Sequence, residues 1–202
     1  GYCSYCCTRF ARGRLHSYPS TMILKEVSRA VKEGVVEIRL SSQDLGAYGL
    51  DIGTDLIGLL GEVEKIPGEF KVRLGMLNPQ HAIRMIEGLV DALRHPKFFK
   101  FIHVPVQSGS DRILRDMKRP YSRAEFKELV EKLRRLVADV TIATDVIVGF
   151  PTETDEDFKD TLSLIQETAP DIVHVSKYHH RPRTYASVVW KELDPKIVSE
   201  RA

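Results

Sequence analysis

Five runs rich in β-branched and apolar residues, separated by helical patterns, fix what this chain can become. They are Val35–Ser42 (VVEIRLSS), Lys71–Met76 (KVRLGM), Phe98–Gln107 (FFKFIHVPVQ), Asp139–Phe150 (DVTIATDVIVGF) and Asp171–His179 (DIVHVSKYH). Such residues fall on both faces of each run, the pattern of strands buried in a parallel sheet. Helix signals lie between them. Pro19 and Ser20 open MILKEVSRAVKE, which stops at Gly34. Thr54 is placed to cap DLIGLLGEVEKI, and QHAIRMIEGLVDALRH is amphipathic. Ser122 and Glu125 form a capping box, and Thr154 opens DEDFKDTLSLIQE with acids in its first turn. Strand–helix alternation predicts a parallel α/β sheet.

Ligands of such sheets bind beyond the carboxyl ends of the strands. Those ends read SSQDLGAYG, LNP, PVQSGSD, GFPTET and YHHRPRT. Any one of them is an ordinary turn, since βα turns are rich in Gly and Ser. All five together suit the floor of a polar ligand site.

Composition narrows the function classes. The 202 residues suffice for one domain with a real core, and no internal linker or repeat interrupts them. A net charge of +2 excludes bulk basicity, so any RNA contact needs a local patch. No apolar run approaches the roughly 20 residues that span a bilayer, and no secretory signal is visible. Three cysteines, all within the first seven residues, argue against a secreted disulfide framework. A cytoplasmic setting is expected.

Those cysteines stand as GYCSYCC, with Cys3 and Cys6 a C-x2-C pair and Cys7 next to it. Such a pair is half a zinc site, a redox pair, or part of an iron–sulfur loop. Together with the strand-end motifs, the whole chain resembles the radical S-adenosylmethionine (SAM) core of the methylthiotransferases. YCSYCC matches the last two cysteines of the family's GCxxxCxYC. SSQDLGAYG resembles TGQDTGAYG, and HVPVQSGSDRILRDMKRPY follows HVPVQSGSDxVLxxMKRxY. ATDVIVGFPTETDEDF follows TDxIVGFPGETEEDF with Thr152 where glycine is usual. RPRTYAS resembles RPGTPAA with Arg183 and Tyr185 in place of Gly and Pro. GAYGLDIGTDL, VRLGMLNP and TIATDVIVGFP look most like the archaeal and eukaryotic transfer-RNA branch, whose implied substrate is N6-threonylcarbamoyladenosine beside the anticodon, at position 37.

The resemblance implies a partial (β/α)6 TIM-like barrel truncated before its first strand. Residues 1–193 would form the core and 194–202 the start of a linker toward a C-terminal RNA-binding β-barrel. A further N-terminal domain would carry an auxiliary cluster that supplies sulfur. Cys3 and Cys6 would be two ligands of a [4Fe–4S] cluster, the third lying upstream of Gly1, and Cys7 a small buried neighbour. Reductive cleavage of SAM would provide the radical that an unactivated adenine C–H bond demands. Tyr5 is placed to stack on the SAM adenine or to pack in the loop. Ser41, Ser42 and Gln43 stand where the family meets the methionine moiety, and Gln107 and Ser108 where it meets a ribose or carboxylate. Gly149 and Pro151 would let backbone approach the adenine, Asp145 faces the cavity or serves as a structural acid, and Arg73 would meet a carboxylate or phosphate. Arg9, Arg12, Arg14, Lys118, Arg119, Arg181 and Arg183 are the RNA-contact candidates. Partners implied are transfer RNA, SAM and an electron donor such as ferredoxin or flavodoxin, and no membrane is evident in these 202 residues.

Competing readings are a sister methylthiotransferase acting on isopentenyladenosine or a ribosomal protein, another radical SAM enzyme, or a non-enzymatic metal- or RNA-binding α/β domain. With one thiolate outside the chain, the opening loop is expected to be poorly ordered or displaced.

Overall fold

The computed structural model describes residues 3–202. Along it run α1 (Thr8–Arg12), α2 (Ser20–Lys32), β1 (Glu37–Leu40), a 3-10 turn at Leu45–Ala47, α3 (Leu56–Glu64), β2 (Lys71–Leu74), α4 (Pro79–Arg84), α5 (Ile86–Arg94), β3 (Phe101–His103), α6 (Asp111–Asp116), α7 (Arg123–Leu136), β4 (Thr141–Val148), α8 (Asp155–Thr168), β5 (Ile172–Lys177), α9 (Tyr185–Val189) and α10 (Pro195–Glu200). All five expected strands are present, each shorter than its apolar run, and the α/β class holds. The described residues divide into two compact units, one of residues 3–14, 105–130 and 143–202, the other of residues 15–104 and 131–142.

In the second unit β1 and β2 pair in parallel, Glu37 opposite Lys71 through to Leu40 opposite Leu74. Parallel bridges join Val72 to Phe98 and Met76 to His103. The core is built from Leu56, Leu60 and Val63 of α3, Val72 and Leu74 of β2, and Leu89 and Leu93 of α5, all nearly inaccessible to solvent. Each such side chain contributes about 1.5–3 kcal/mol by leaving water. Gly34 ends α2 in the left-handed region at φ 91°, as its sequence position predicts. Two helix signals shift. Asp55 rather than Thr54 caps α3, its Oδ1 accepting from the Gly58 N–H at 2.8 Å. The amphipathic segment 80–95 lies in two helices, because Met85 leaves helical geometry at φ −116°; no local breaker residue marks that position.

In the first unit β4, from Ala143 onward, pairs in parallel with β5 as far as Val148 opposite Lys177. A parallel bridge joins Gln107 to Val146. Ile113, Met117, Phe150, Tyr178 and Ala186 form a core against which Tyr5, Ile147 and Trp190 pack. Phe150 meets Tyr178 at 5.3 Å and Trp190 at 5.6 Å between centroids, both edge-to-face. Such pairs add about 0.5–1.5 kcal/mol beyond area burial.

One expectation needs correction. β5 is largely exposed and β1 only partly buried, so neither is buried on both faces; Val175 of β5 is 48% accessible. Each pairs along one edge only, so it lacks the flanking cover of a central strand. Residues 194–202 contain α10, which packs into the first unit. Its Val198 is buried, and Arg201 Nη1 donates to Glu153 Oε2 at 2.8 Å.

Candidate functional site

The residues of interest divide between the two units. In the first, the opening loop is tied down rather than displaced. Ser4 is buried; its N–H donates to the Met117 carbonyl at 3.1 Å and its carbonyl accepts from the Ala186 N–H at 2.8 Å. The Cys6 N–H reaches back to the Cys3 carbonyl at 3.4 Å, closing a turn that leaves Cys3, Cys6 and Cys7 partly exposed. Cys7 is therefore not the buried neighbour expected; it begins α1 and accepts from the Phe10 N–H.

Tyr5 goes inward. Its ring meets Phe150 edge-on at 6.3 Å, and its hydroxyl accepts from Arg119 Nη2 at 2.6 Å. Burial pushes the Tyr5 phenol up to about 12, with Arg119 opposing part of that shift. Burial also works against the Arg119 cation, but Tyr5, Tyr121 and Cys3 around it more than compensate and raise its pKa. Tyr5 thus plugs the cysteine loop into the core, and Arg119, expected at an RNA surface, is half-buried as its anchor.

The turn after β3 separates two neighbouring polar residues. Gln107 is 7% accessible and lies in the left-handed region at φ 73°. Its backbone joins β4 through Asp145 and Ile147, while its side-chain amide has no hydrogen-bond partner among the described residues. Ser108, expected to touch ligand, is fully buried, with its hydroxyl 3.3 Å from Thr161 Oγ1 and accepting from the Ser110 N–H. Gly109 has no room for a side chain, since a Cβ would stand 2.5 Å from the Asp160 carbonyl and 2.6 Å from Thr161 Cα. Ser110 continues the tie, donating to Asp157 Oδ1 at 2.6 Å. Asp157 also accepts from Thr154 in the α8 capping box and pairs with Arg112. Burial alone would raise its carboxyl, but Arg112, Ser110 and Thr154 together hold it well below the carboxylate range. The motifs PVQSGSD and TETDED are largely one packing device.

Beyond β4, Gly149 is left-handed at φ 75° and donates its N–H to Glu153 Oε2 at 2.8 Å. Pro151 is buried beside it. Glu153 is buried, which raises its carboxyl, and its Oε1 has no partner among the described residues. Thr152 uses the hydroxyl that glycine would lack to donate to Asp116 Oδ2 at 2.6 Å. Asp145 is half-buried on β4, its carbonyl receiving the Gln107 N–H. Arg9, Arg12, Arg14, Lys118, Arg181 and Arg183 are exposed.

In the second unit Ser41, Ser42 and Gln43 follow β1 and are exposed. Ser42 Oγ accepts from the Asp44 N–H at 3.2 Å. Gly75 lets the ends of β1 and β2 approach, since a Cβ there would stand 2.8 Å from the Leu40 carbonyl and 3.1 Å from Ser41 Cα. Arg73 lies over the Phe101 ring at 4.0 Å, a cation–π contact that fixes its guanidinium. Sequence reasoning missed Asp44. Its carboxylate accepts from the Asn78 N–H at 3.0 Å and from Asn78 Nδ2 at 2.9 Å, and stands 3.4 Å from His81 Nε2. The signal was an aspartate after one strand and NPQH after the next.

Among the described residues no three His, Cys, Asp or Glu side chains gather as a metal site. Cys3 and Cys6 offer two soft thiols on one partly exposed turn, which fits two positions of an iron–sulfur ligand shell and leaves the others to donors outside the described residues. No helix among the described residues is long and apolar enough to cross a membrane.

The parallel α/β fold, the C-x2-C turn and the polar strand ends agree with the match of residues 1–165 to the radical SAM superfamily; the chain belongs to that superfamily. Over all 202 residues it is 50% identical to a probable threonylcarbamoyladenosine tRNA methylthiotransferase of Methanothermobacter thermautotrophicus, covering 47% of that protein. Over 186 residues, 92% of this chain, it is 48% identical to the threonylcarbamoyladenosine tRNA methylthiotransferase of Xenopus laevis, covering 34% of it. The archaeal–eukaryotic resemblance is thereby borne out, although the chain spans about half the length of the archaeal relative and a third of the vertebrate one. Among solved structures, the radical SAM methyltransferase TsrM of Kitasatospora setae superimposes with a TM-score of 0.75 at 16% identity, over 92% of this chain and 36% of that one. That likeness bears on the fold alone.

Proposed function

We propose that this chain is the radical SAM core of a transferase that 2-methylthiolates N6-threonylcarbamoyladenosine at position 37 of transfer RNA. The observation that carries the reading is the Cys3–Cys6 turn, pinned by Ser4 and Tyr5 yet leaving its thiols partly exposed, in a chain 50% identical over its whole length to a protein named for that activity. Cys3 and Cys6 would be two of the thiolate ligands of a [4Fe–4S] cluster, which when bound would supply the electron for SAM cleavage. Tyr5 and Arg119 orient the loop that presents the two thiolates. Gln107, buried in the turn after β3 with an unpartnered side-chain amide, donates or accepts through that amide toward SAM. The N–H of Gly149 is occupied by Glu153, so that turn offers shape more than hydrogen bonds. An auxiliary cluster, an electron donor of the ferredoxin or flavodoxin kind and a cytoplasmic setting complete the reading.

The test is nucleoside mass spectrometry of transfer RNA from a strain lacking the gene. Loss of the 2-methylthio derivative with accumulation of N6-threonylcarbamoyladenosine is expected. Loss of 2-methylthio-isopentenyladenosine instead would move the protein to the sister substrate.

A further inference from the structure

Helix α10 is seated on the turn that follows β4, and three of its residues hold it there. Val198 is buried against Gly149: a Cβ on that glycine would stand 2.6 Å from Val198 Cγ2 and 2.7 Å from Cγ1. Ser199 Oγ accepts from Lys177 Nζ at the end of β5, at 3.2 Å. Arg201 Nη1 donates to Glu153 Oε2 at 2.8 Å and to the Glu153 carbonyl at 3.2 Å. Its Nη2 donates to Asp155 Oδ1 at 2.5 Å, which fixes the plane of the guanidinium. Glu153 Oε2 is also the acceptor for the Gly149 N–H at 2.8 Å, so one oxygen joins α10 to the left-handed turn. The Glu153 side chain is inaccessible and that of Arg201 is 8% accessible. Neither partner of such a pair regains water unless α10 moves. Packing and hydrogen bonding thus converge on Gly149, and its shape is what the turn offers a ligand.

We propose that Arg201 is a positioning residue for SAM: acting through Glu153, and with Val198, it holds the Gly149 turn in the shape that receives SAM, so that SAM occupancy and the seating of α10 are linked. This rests on the reading of that turn as part of the SAM floor, and adds to it a helix that acts without touching the ligand. Linkage is reciprocal: if α10 sets the affinity of the turn, SAM must steady α10.

The test pairs calorimetric titration of SAM with amide hydrogen exchange, both on the complete, reconstituted protein. The Val198 and Arg201 amides, bonded to the Asp194 and Ile197 carbonyls at 3.1 Å, report on α10. Residues 149–153 report on the turn, and residues 164–168, the far end of α8 in the same unit, report on general stabilisation. SAM is expected to slow exchange in the turn and in α10 more than in residues 164–168. Arg201→Met is expected to weaken SAM binding about two- to thirtyfold and to remove the slowing in α10, with Arg201→Lys restoring part of both. Val198→Ala, which strands no buried charge, is expected to weaken SAM binding in the same range, and it carries the test if Arg201→Met does not fold. Slowing in the turn with none in α10, or wild-type affinity in Val198→Ala, would overturn the linkage and leave the SAM floor standing. SAM binding with no slowing in the turn would remove Gly149 from the SAM site and the linkage with it. If the linkage passes while transfer RNA from the deletion strain is unchanged, the proposed substrate fails and the linkage stands.

Discussion

Arg119 donates from Nη2 to the Tyr5 hydroxyl across 2.6 Å, joining one of the two residues between Cys3 and Cys6 to a position 114 residues later in the chain. A hydrogen bond from a charged donor in a half-buried setting contributes about 1.5–3 kcal/mol. Arg119→Met and Tyr5→Phe are each expected to destabilise the chain by about that amount in urea unfolding. The double variant should lose clearly less than the sum. Burial raises the Tyr5 phenol to about 12 against roughly 10 for an unfolded tyrosine. Its contribution is therefore complete below pH 10 and lost as pH rises through about 12. Tyr5→Phe should flatten that alkaline loss, and an unchanged alkaline profile would remove Tyr5 from its cause.

Asp157 sets the acid limb. Its carboxyl is held below the usual range by Arg112, Ser110 and Thr154, which outweigh its burial. The stability it gives is present above about pH 4, the unfolded value, and is lost as pH falls toward the folded one. Asp157→Asn should cost about 2 kcal/mol at neutral pH and shallow the acid unfolding slope. A slope as steep as wild type would assign acid unfolding to other carboxylates.

Two glycines give opposite forecasts. A Cβ at Gly109 would press into the Asp160 carbonyl and Thr161 Cα, backbone atoms that cannot step aside. Gly109→Ala should cost about 1–3 kcal/mol or more. Gly13 has nothing within 4 Å and only its φ of 75° to protect, so Gly13→Ala should cost about 1 kcal/mol. Thermal melts of the pair check the order.

Gln107 accepts a left-handed backbone that glycine would adopt freely. Gln107→Gly is expected to gain about 1 kcal/mol of stability and to weaken SAM binding by about 1–3 kcal/mol. Ser108→Ala should do the reverse, losing stability with affinity retained. Calorimetric titration of SAM into the reconstituted proteins reads both, and equal affinity across the set would release Gln107 from the site.

The strand–helix alternation was legible because parallel strands are apolar over their whole length, and the caps at Ser122 and Thr154 were legible because their partners lie three residues on. The break at Met85 was not, because no residue there announces it. The partial burial of β1 and the exposure of β5 depend on what pairs beside them, which no local pattern carries. At the site, chemistry was easier to read than allegiance. Gln107 and Ser108 look alike in sequence, yet only Ser108 faces Thr161, a contact 53 residues away. Tyr5 likewise read as platform or plug, and its contacts with Phe150 and Arg119 lie 145 and 114 residues away, beyond any local pattern.

The central claim is that Cys3 and Cys6, and not Cys7, hold the cluster with which this core modifies transfer RNA. It is tested most directly by complementing the deletion strain with the complete gene carrying Cys3→Ser, Cys6→Ser or Cys7→Ser and weighing the nucleosides. The account predicts that the first two fail to restore 2-methylthio-N6-threonylcarbamoyladenosine while Cys7→Ser restores it. Full restoration by Cys3→Ser or Cys6→Ser would contradict it.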